Sequence, residues 1–327
     1  MLPIVATPGA EGNALKALVV EHLGETGSLK EIPVPKPGTN EILVRVTAAG
    51  VNPIDWKQRN RPETKFPLVV GRDFAGVVSE PGERVAKYRE GERLFGIARD
   101  HGAYAEYTIV SDDDRSQPIA KIPDDVGDAD AAALPTAGLT ALASLEALQV
   151  AKGTTLLVLG ATGGVGGFAV QIARDRGAHV IGTARASSEV FARSLGVDEF
   201  VAYDRQNVVE SVKSSHPDGV DAVLDLVDDD TAIKDLAAVI RPGGRIVSTI
   251  GAVDENWFAQ RKIAASNVYV LDSPLWSHAG LRTLLELLEQ GRLKVAIAGE
   301  RPLREAVAAL DASATGSVNG KLVITVE

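Results

Sequence analysis

Between residues 16 and about 124, short apolar runs are interrupted every few positions by proline, glycine or acidic residues. The runs at 17–20, 41–47, 68–70, 76–79 and 103–110 read as β-strands, and the stretch PVPKPG at 33–38 is a break. From about residue 130 to 272 the rhythm changes to apolar strand, turn and amphipathic helix, repeated several times. Strands are expected at 155–159, 179–183, 199–202, 222–225, 245–250 and 268–271. Strands alternating with helices predict a parallel sheet covered on both faces, and six of them complete a doubly wound sheet. In the tail, Leu281, Leu284, Leu285 and Leu288 fall at helical spacing with Gly291 as a stop; a second helix is expected at 303–310 and a final strand at 320–326. The pattern divides the chain into a β-rich domain at 1–127 and 273–327 and a strand–helix domain at 128–272. The acidic triplets at 112–114 and 228–230 read as solvated loop edges.

The length of 327 residues suits two domains, and 45% hydrophobic with 24% charged residues is a globular balance. A formal charge of −10 argues against a nucleic-acid partner. The absence of cysteine excludes disulfides, thiolate metal sites and a cysteine nucleophile. No basic leader pattern opens the chain, and no run approaches the ~20 apolar residues of a membrane span. The expectation is a cytoplasmic protein with no membrane partner. None of the five histidines stands at ligand spacing from another along the sequence. His179, within a strand, and His216, beside Pro217, read as structural or solvated, so no metal site is expected. No G-x-S-x-G elbow is present. The chemistry is therefore expected from a cofactor.

The strongest chemical signal is LLVLGATGGVGG at 156–167, followed by FAVQIAR. An apolar strand runs into glycines, and the following helix carries Val165, Ala169, Ile172 and Ala173 on its inner face. A pyrophosphate needs this arrangement: backbone amides approach its oxygens with no Cβ in the way, and a helix N-terminus faces the charge. Against G-x-G-x-x-G, the match is Ala161, Gly163 and Gly166, with Gly164 and Val165 between the last two. The second strand ends GTARASS at 182–188, and no carboxylate appears before Glu189. An NAD site usually offers one here to hold the ribose 2′-hydroxyl. Arg185 can instead pair with a 2′-phosphate, and Thr183, Ser187 or Ser188 can donate hydrogen bonds to it. The expected cofactor is NADPH; the competing reading is a solvated arginine beside an indifferent ribose site.

Several segments together resemble one family: AAGVNPID at 48–55, PLVVGRDFAGV at 67–77, GAYAEY at 102–107, ALPTAGLT at 133–140, the glycine turn, and RPGGRIVS at 241–248. The chain resembles a zinc-independent member of the medium-chain dehydrogenase/reductase superfamily, close to its quinone oxidoreductase (zeta-crystallin-like) branch. Zinc alcohol dehydrogenases of this superfamily carry a cysteine near Asn52-Pro53 and a histidine–glutamate pair after Gly71; this chain has Arg72-Asp73 there and no cysteine lobe. The resemblance implies a GroES-like β-rich catalytic domain plus a Rossmann doubly wound parallel sheet domain, with the nicotinamide between them. It also implies that Asn52 and Thr140 line the nicotinamide end, Tyr203 stands near the 2′-phosphate, and Ile250-Gly251 meets the carboxamide through the backbone. Lys321 would close the site from the tail, and a homodimer would form through the sixth strand. The chain departs from the branch at Lys57, where many members have tyrosine, and in lacking a lysine after the second strand, for which Arg185 substitutes.

The expected reaction is hydride transfer from NADPH to a small-molecule quinone or α,β-unsaturated carbonyl compound. The negative charge that builds on the acceptor oxygen needs donors, and Asn52, Lys57 and Thr140 are the candidates. Asp55 reads as structural, holding the loop after Asn52. An enoyl-thioester reductase and an NADPH-binding redox sensor with little catalysis are the alternatives.

Overall fold

The computed structural model describes residues 14–98, 102–111 and 116–327, so the acidic triplet at 112–114 lies outside the described residues. The chain forms two compact units. One comprises residues up to Thr136 with Ser277–Arg282 and Ile297–Glu327; the other comprises Ala137–Trp276 and Thr283–Ala296.

The first unit is β-rich. Strands β1 (Ala14–Val20), β2 (Ser28–Pro33) and β4 (Leu68–Val69) form a small antiparallel sheet in the order β2-β1-β4. A larger sheet centres on β3 (Glu41–Gly50) and β5 (Asp73–Pro81), followed by β6 (Arg93–Ile97) and β8 (Ile119–Lys121), while β7 (Tyr107–Ser111) also pairs with β3. The short helix α1 (Pro53–Lys57) interrupts this run, and α2 (Asp128–Ala133) follows it. The tail strands β15 (Ile297–Pro302) and β16 (Lys321–Thr325) close the far side, β16 pairing antiparallel with β3 through Val323 opposite Gly50. The strand read at 320–326 therefore does return to the first unit. Leu18, Val44, Phe74, Leu94, Tyr104, Ile119 and Ile324 share one core beneath these strands.

The second unit begins within α3 (Pro135–Ala147) and holds β9 (Thr155–Leu159), α4 (Gly164–Asp175), β10 (His179–Ala184), α5 (Glu189–Leu195) and β11 (Glu199–Ala202). It continues through α6 (Val208–Ser215), β12 (Val220–Asp225), α7 (Ala232–Asp235), β13 (Ile240–Ser248), α8 (Glu255–Ala259) and β14 (Ala264–Asn267). Most of α9 (His278–Glu289), which carries the leucine stripe, belongs to this unit, and α10 (Ala306–Ala314) to the first. The six strands are parallel in the order β11-β10-β9-β12-β13-β14. That is the doubly wound order, whose reversal between β9 and β12 places a crevice at the carboxyl ends of those strands. Leu156, Leu157 and Val158 are all buried, as a strand covered on both faces requires.

Two expectations need correction. The sixth strand is not 268–271 but β14, where Ala264–Asn267 pairs residue for residue with Arg245–Ser248. The apolar VYVL run follows it outside the sheet, with Tyr269 and Leu271 more than half exposed. β-propensity marks the run, but pairing with β13 decides which residues enter the sheet. The triplet at 228–230 is also only partly a solvated edge, since Asp228 is half-buried.

The turn after β9 shows how alanine is accommodated in the first position of the glycine pattern. Gly160 takes the positive φ (+80°), so Ala161 can be buried with an ordinary backbone. Gly166 is held by contact: a Cβ there would lie 2.1 Å from the Gly160 carbonyl oxygen, whereas one on Gly163 would lie at 3.5 Å. The third glycine thus serves helix–strand packing and the second leaves the helix entrance open. Gly166→Ala is expected to cost at least about 1–3 kcal/mol in denaturant unfolding, as overpacked sites do. Gly163→Ala should cost less than about 1 kcal/mol in the same measurement.

Candidate active site

In the first unit the loop after β3 leads into α1, with Asn52 at the N-cap and Pro53 at the first helical position. Asp55 reaches back, its Oδ2 accepting from the Asn52 amide at 2.8 Å. This is the structural part the sequence assigned to it. Asn52 is 2% exposed, and both ends of its side chain are engaged. Its Nδ2 donates to Asp73 Oδ2 at 3.0 Å, and its Oδ1 accepts from Lys321 Nζ at 2.6 Å. Lys321 also donates to the Val51 carbonyl at 2.8 Å. The acceptor end of the amide faces an ammonium and the donor end faces a carboxylate, so charge sets its orientation.

Further groups complete this buried network. Asp73 Oδ2 accepts from the Thr136 amide at 3.0 Å and its Oδ1 from the Thr136 hydroxyl. The Tyr104 hydroxyl donates to Asp55 Oδ2 at 3.0 Å, while Asp55 Oδ1 is buried without a hydrogen-bond partner among the described residues. Burial, reinforced by the Asp73 charge, pushes the Asp55 carboxyl up to about 7. Burial likewise raises Asp73, against the opposing pull of Lys321 and the bonds from Thr136 and Asn52. Lys321 is lowered by burial, with Asp73 and Asp55 acting the other way. Tyr104 is raised by burial and then by Asp55.

Lys57 takes no part in this network. It is the last residue of α1, and its ammonium lies over the Trp56 indole, 5.5 Å from the ring centroid. Thr140 lies in α3 within the second unit; it is buried, and its carbonyl accepts from the Ser144 hydroxyl at 2.8 Å. Lys321, expected to close the site from the tail, is a buried member of the Asn52 network.

In the second unit the residues expected around a dinucleotide gather at the carboxyl ends of the strands. Gly163 is the N-cap of α4 and brings no side chain to its first-turn amides, which have no acceptor within the helix. Gly164, Val165 and Gly166 supply that turn. Thr183 is buried, and its hydroxyl accepts from the Gly160 amide at 3.3 Å, so it braces the turn. Beyond β10, Arg185 Nε donates to the Tyr203 hydroxyl at 3.1 Å; Tyr203 is 48% exposed and Ser187 is exposed beside them. Asp204 accepts from the Ala186 amide at 2.8 Å at the same lip. Beyond β13, the Ile250 amide donates to Ser248 Oγ at 3.2 Å, and Gly251 (φ +85°) lies under the Tyr269 hydroxyl.

An acidic lip at the end of β12 completes this edge. Asp225 is fully buried, and its Oδ1 accepts from the Val227 and Asp228 amides at 3.1 and 2.8 Å. Burial raises the Asp225 carboxyl against those bonds. Burial, then the charges of Asp225, Asp229 and Asp235, push Asp228 up to about 6.

Sequence reasoning missed Asp73, Tyr104 and Thr136, although one signal was present. Asp73 and Lys321 each head a strand whose next residues are apolar, where a charge needs a partner. It also read His179 and His216 singly, whereas the structure brings both onto Glu199, at 2.6 and 3.0 Å.

A β-rich unit of this topology and a doubly wound unit with an open glycine turn, carried on one chain, define a nicotinamide-dependent dehydrogenase or reductase of the medium-chain type. Two family models match the chain: the alcohol dehydrogenase GroES-like domain over residues 38–124 and the zinc-binding dehydrogenase over residues 195–324. A chloroplast envelope quinone oxidoreductase homolog of Arabidopsis thaliana is 31% identical over 309 residues, covering 90% of this chain and 92% of that one. A chloroplastic NADPH-dependent alkenal/one oxidoreductase of the same plant is 31% identical, covering 95% of this chain and 79% of its own. The solved quinone oxidoreductase from Coxiella burnetii superposes with a TM-score of 0.86 at 31% identity, covering 96% of this chain and all of that one. The chain belongs to the medium-chain dehydrogenase/reductase superfamily, in its quinone oxidoreductase branch.

Two outcomes follow from the charges. Lys321→Met leaves Asp73 buried without its counter-charge and should cost about 3–5 kcal/mol in denaturant unfolding. Adding Asp73→Asn should cost less than the two single losses summed. Asp228 has its folded value raised from an unfolded 3.8 to about 6, so the folded state holds the extra proton between those values. Stability is lost as pH rises through that window, and the whole cost is present above it. Asp228→Asn should therefore melt a few degrees higher than the parent at pH 7.5 and level with it at pH 4.

Proposed function

We propose that the chain is an NADPH-dependent oxidoreductase that passes hydride to a quinone or an α,β-unsaturated carbonyl compound without a metal ion. The observation that carries this reading is the Arg185–Tyr203 pair at the lip beside an open glycine turn. The residues present fit the dinucleotide. The first-turn amides of α4 have no internal acceptor, and Gly163 leaves them uncovered, which suits a pyrophosphate. Arg185 offers a planar cation, and the Tyr203 and Ser187 hydroxyls accompany it, a set suited to a 2′-phosphate. Ile250 and Gly251 present backbone groups for a carboxamide. The names of the relatives, quinone oxidoreductase and NADPH-dependent alkenal/one oxidoreductase, support the acceptor class.

When bound, the cofactor would supply the hydride. The chain's own task is to orient it and to meet the charge that develops on the acceptor oxygen. The reading assigns that charge to donors from Asn52, Thr140 and Lys57. Lys321 and Asp73 act through Asn52, holding its amide in one orientation. A catalytic zinc does not fit here. The chain has no cysteine, and the Asn52 network already holds an ammonium, with Asp73 fully engaged by Asn52 and Thr136.

The same proposal includes a homodimer. β14 is an open edge of the six-stranded sheet, and the exposed Tyr269 and Leu271 lie just beyond it. Light scattering of the purified chain should give twice the chain mass.

The test of the cofactor is calorimetric. NADPH should bind at least about 10-fold more tightly than NADH, as a charge-assisted contact allows. Arg185→Ala should close most of that gap, and equal affinities in the parent would refute the 2′-phosphate assignment. NADPH oxidation is then followed with small quinones and enones and with enoyl thioesters, with and without a chelator. Turnover with the first group, unchanged by the chelator, supports the proposal. Turnover with thioesters alone would indicate an enoyl-thioester reductase, and binding without oxidation a redox sensor.

A further inference from the structure

At the amino ends of the strands in the second unit, opposite the glycine turn, three side chains from three elements converge. His179 is the first residue of β10, Glu199 the first of β11, and His216 the C-cap of α6. Nε2 of His179 lies 2.6 Å and Nε2 of His216 3.0 Å from the same oxygen, Glu199 Oε1. The two rings are tilted by 51° with centroids 6.1 Å apart, and the three candidate ligand atoms all lie within 4.8 Å of one another. Among the described residues this is the one group of three or more histidine, cysteine or acidic side chains so arranged.

We propose that His179, Glu199 and His216 form a binding site for a divalent transition-metal cation of the zinc class. Imidazole nitrogen and carboxylate oxygen are the donors that such ions take. Tetrahedral ligation at ~2.0–2.2 Å separates neighbouring ligand atoms by ~3.3 Å, so both nitrogens need retreat from Oε1 by well under an ångström. The side chains are 44%, 35% and 21% exposed, which leaves an entry path and room for water in the fourth position.

A second observation points the same way. Asp198 Oδ2 lies 3.7 Å from Nδ1 of His179, on the side of the ring away from Glu199. Asp198 is itself held in place, its Oδ2 accepting from the Val180 amide at 2.9 Å and its Oδ1 facing Arg174 at 3.6 Å. At that distance the carboxylate is a charge neighbour of the ring, not a hydrogen-bond partner, and its negative charge favours a cation bound at the histidine. The ligands sit on strand starts and a helix end, so an ion would tie β10, β11 and the end of α6 together at the far end of the sheet from the cofactor lip. The site does not depend on the proposed reaction.

The test is equilibrium dialysis of the full chain against sub-millimolar Zn²⁺, with Co²⁺ as a spectroscopic probe. The parent should retain one zinc ion per chain, and the cobalt form should show the visible bands of a low-coordinate nitrogen–oxygen site. His179→Ala, His216→Ala and Glu199→Ala should each weaken zinc binding more than about 10-fold, given that loss of an outer-shell partner alone costs that much. His22→Ala should leave it unchanged. Thermal melting without metal confirms that the surface variants fold. A parent that takes up no zinc overturns the proposal, and so does a folded His216→Ala chain that binds zinc as the parent does.

Discussion

The first unit depends on one buried ammonium. Lys321 enters from the tail, 269 residues from Asn52, and donates both to that side chain and to the Val51 carbonyl. Asp73, at the head of the neighbouring strand β5, supplies the opposing charge through the Asn52 amide. Without these contacts, burying an ammonium and a carboxylate would each cost several kcal/mol. The chain of bonds therefore holds together three pieces that sequence separates: the end of β3, the start of β5 and the tail strand β16. A buried ion pair is weak evidence for stability in general, since apolar packing can replace it. Its consequence here is geometric: only one orientation of the Asn52 amide satisfies both neighbours.

The second unit separates its charges along the carboxyl edge of the sheet. Arg185 stands beyond β10, whereas the acidic lip of Asp225 and Asp228 lies beyond β12, on the other side of β9. A polyanionic ligand laid on the α4 N-terminus would have Arg185 on one side and the acidic lip on the other. On the other side, Asp225 spends one oxygen on the amides of its own turn, so that carboxylate shapes the loop bearing Val227. The Val227 side chain in turn covers Gly160, since a Cβ on that glycine would fall 2.9 Å from Val227 Cγ1. The lip is thus a wall of the turn as well as a local concentration of negative charge.

How much of this was legible depended on whether the signal was local. The run from Leu156 to Ala173 announces strand, turn and helix because each part carries its own pattern, and the structure follows it closely. The reach of Asp55 back to Asn52 was also readable, being three residues long. The sixth strand was not, because Ala264–Asn267 has little intrinsic strand character and gains its place from β13 alone. Nor were Tyr104 and Thr136, which reach their carboxylate partners from 49 and 63 residues away. The histidine cluster failed for the same reason. A spacing rule along the chain sees His179 and His216 as strangers, whereas adjacent parallel strands and a returning helix make them neighbours.

One matching family carries a zinc-binding description, whereas the surroundings of Asn52 offer no cysteine and have Asp73 already engaged by Asn52 and Thr136. A catalytic metal would bring concentrated positive charge to the place where an oxyanion develops. At Asn52 the neighbouring cation is the Lys321 ammonium, fixed by covalent attachment to β16 and unable to open a coordination position. It can polarise Asn52, but it cannot accept an oxygen as a ligand.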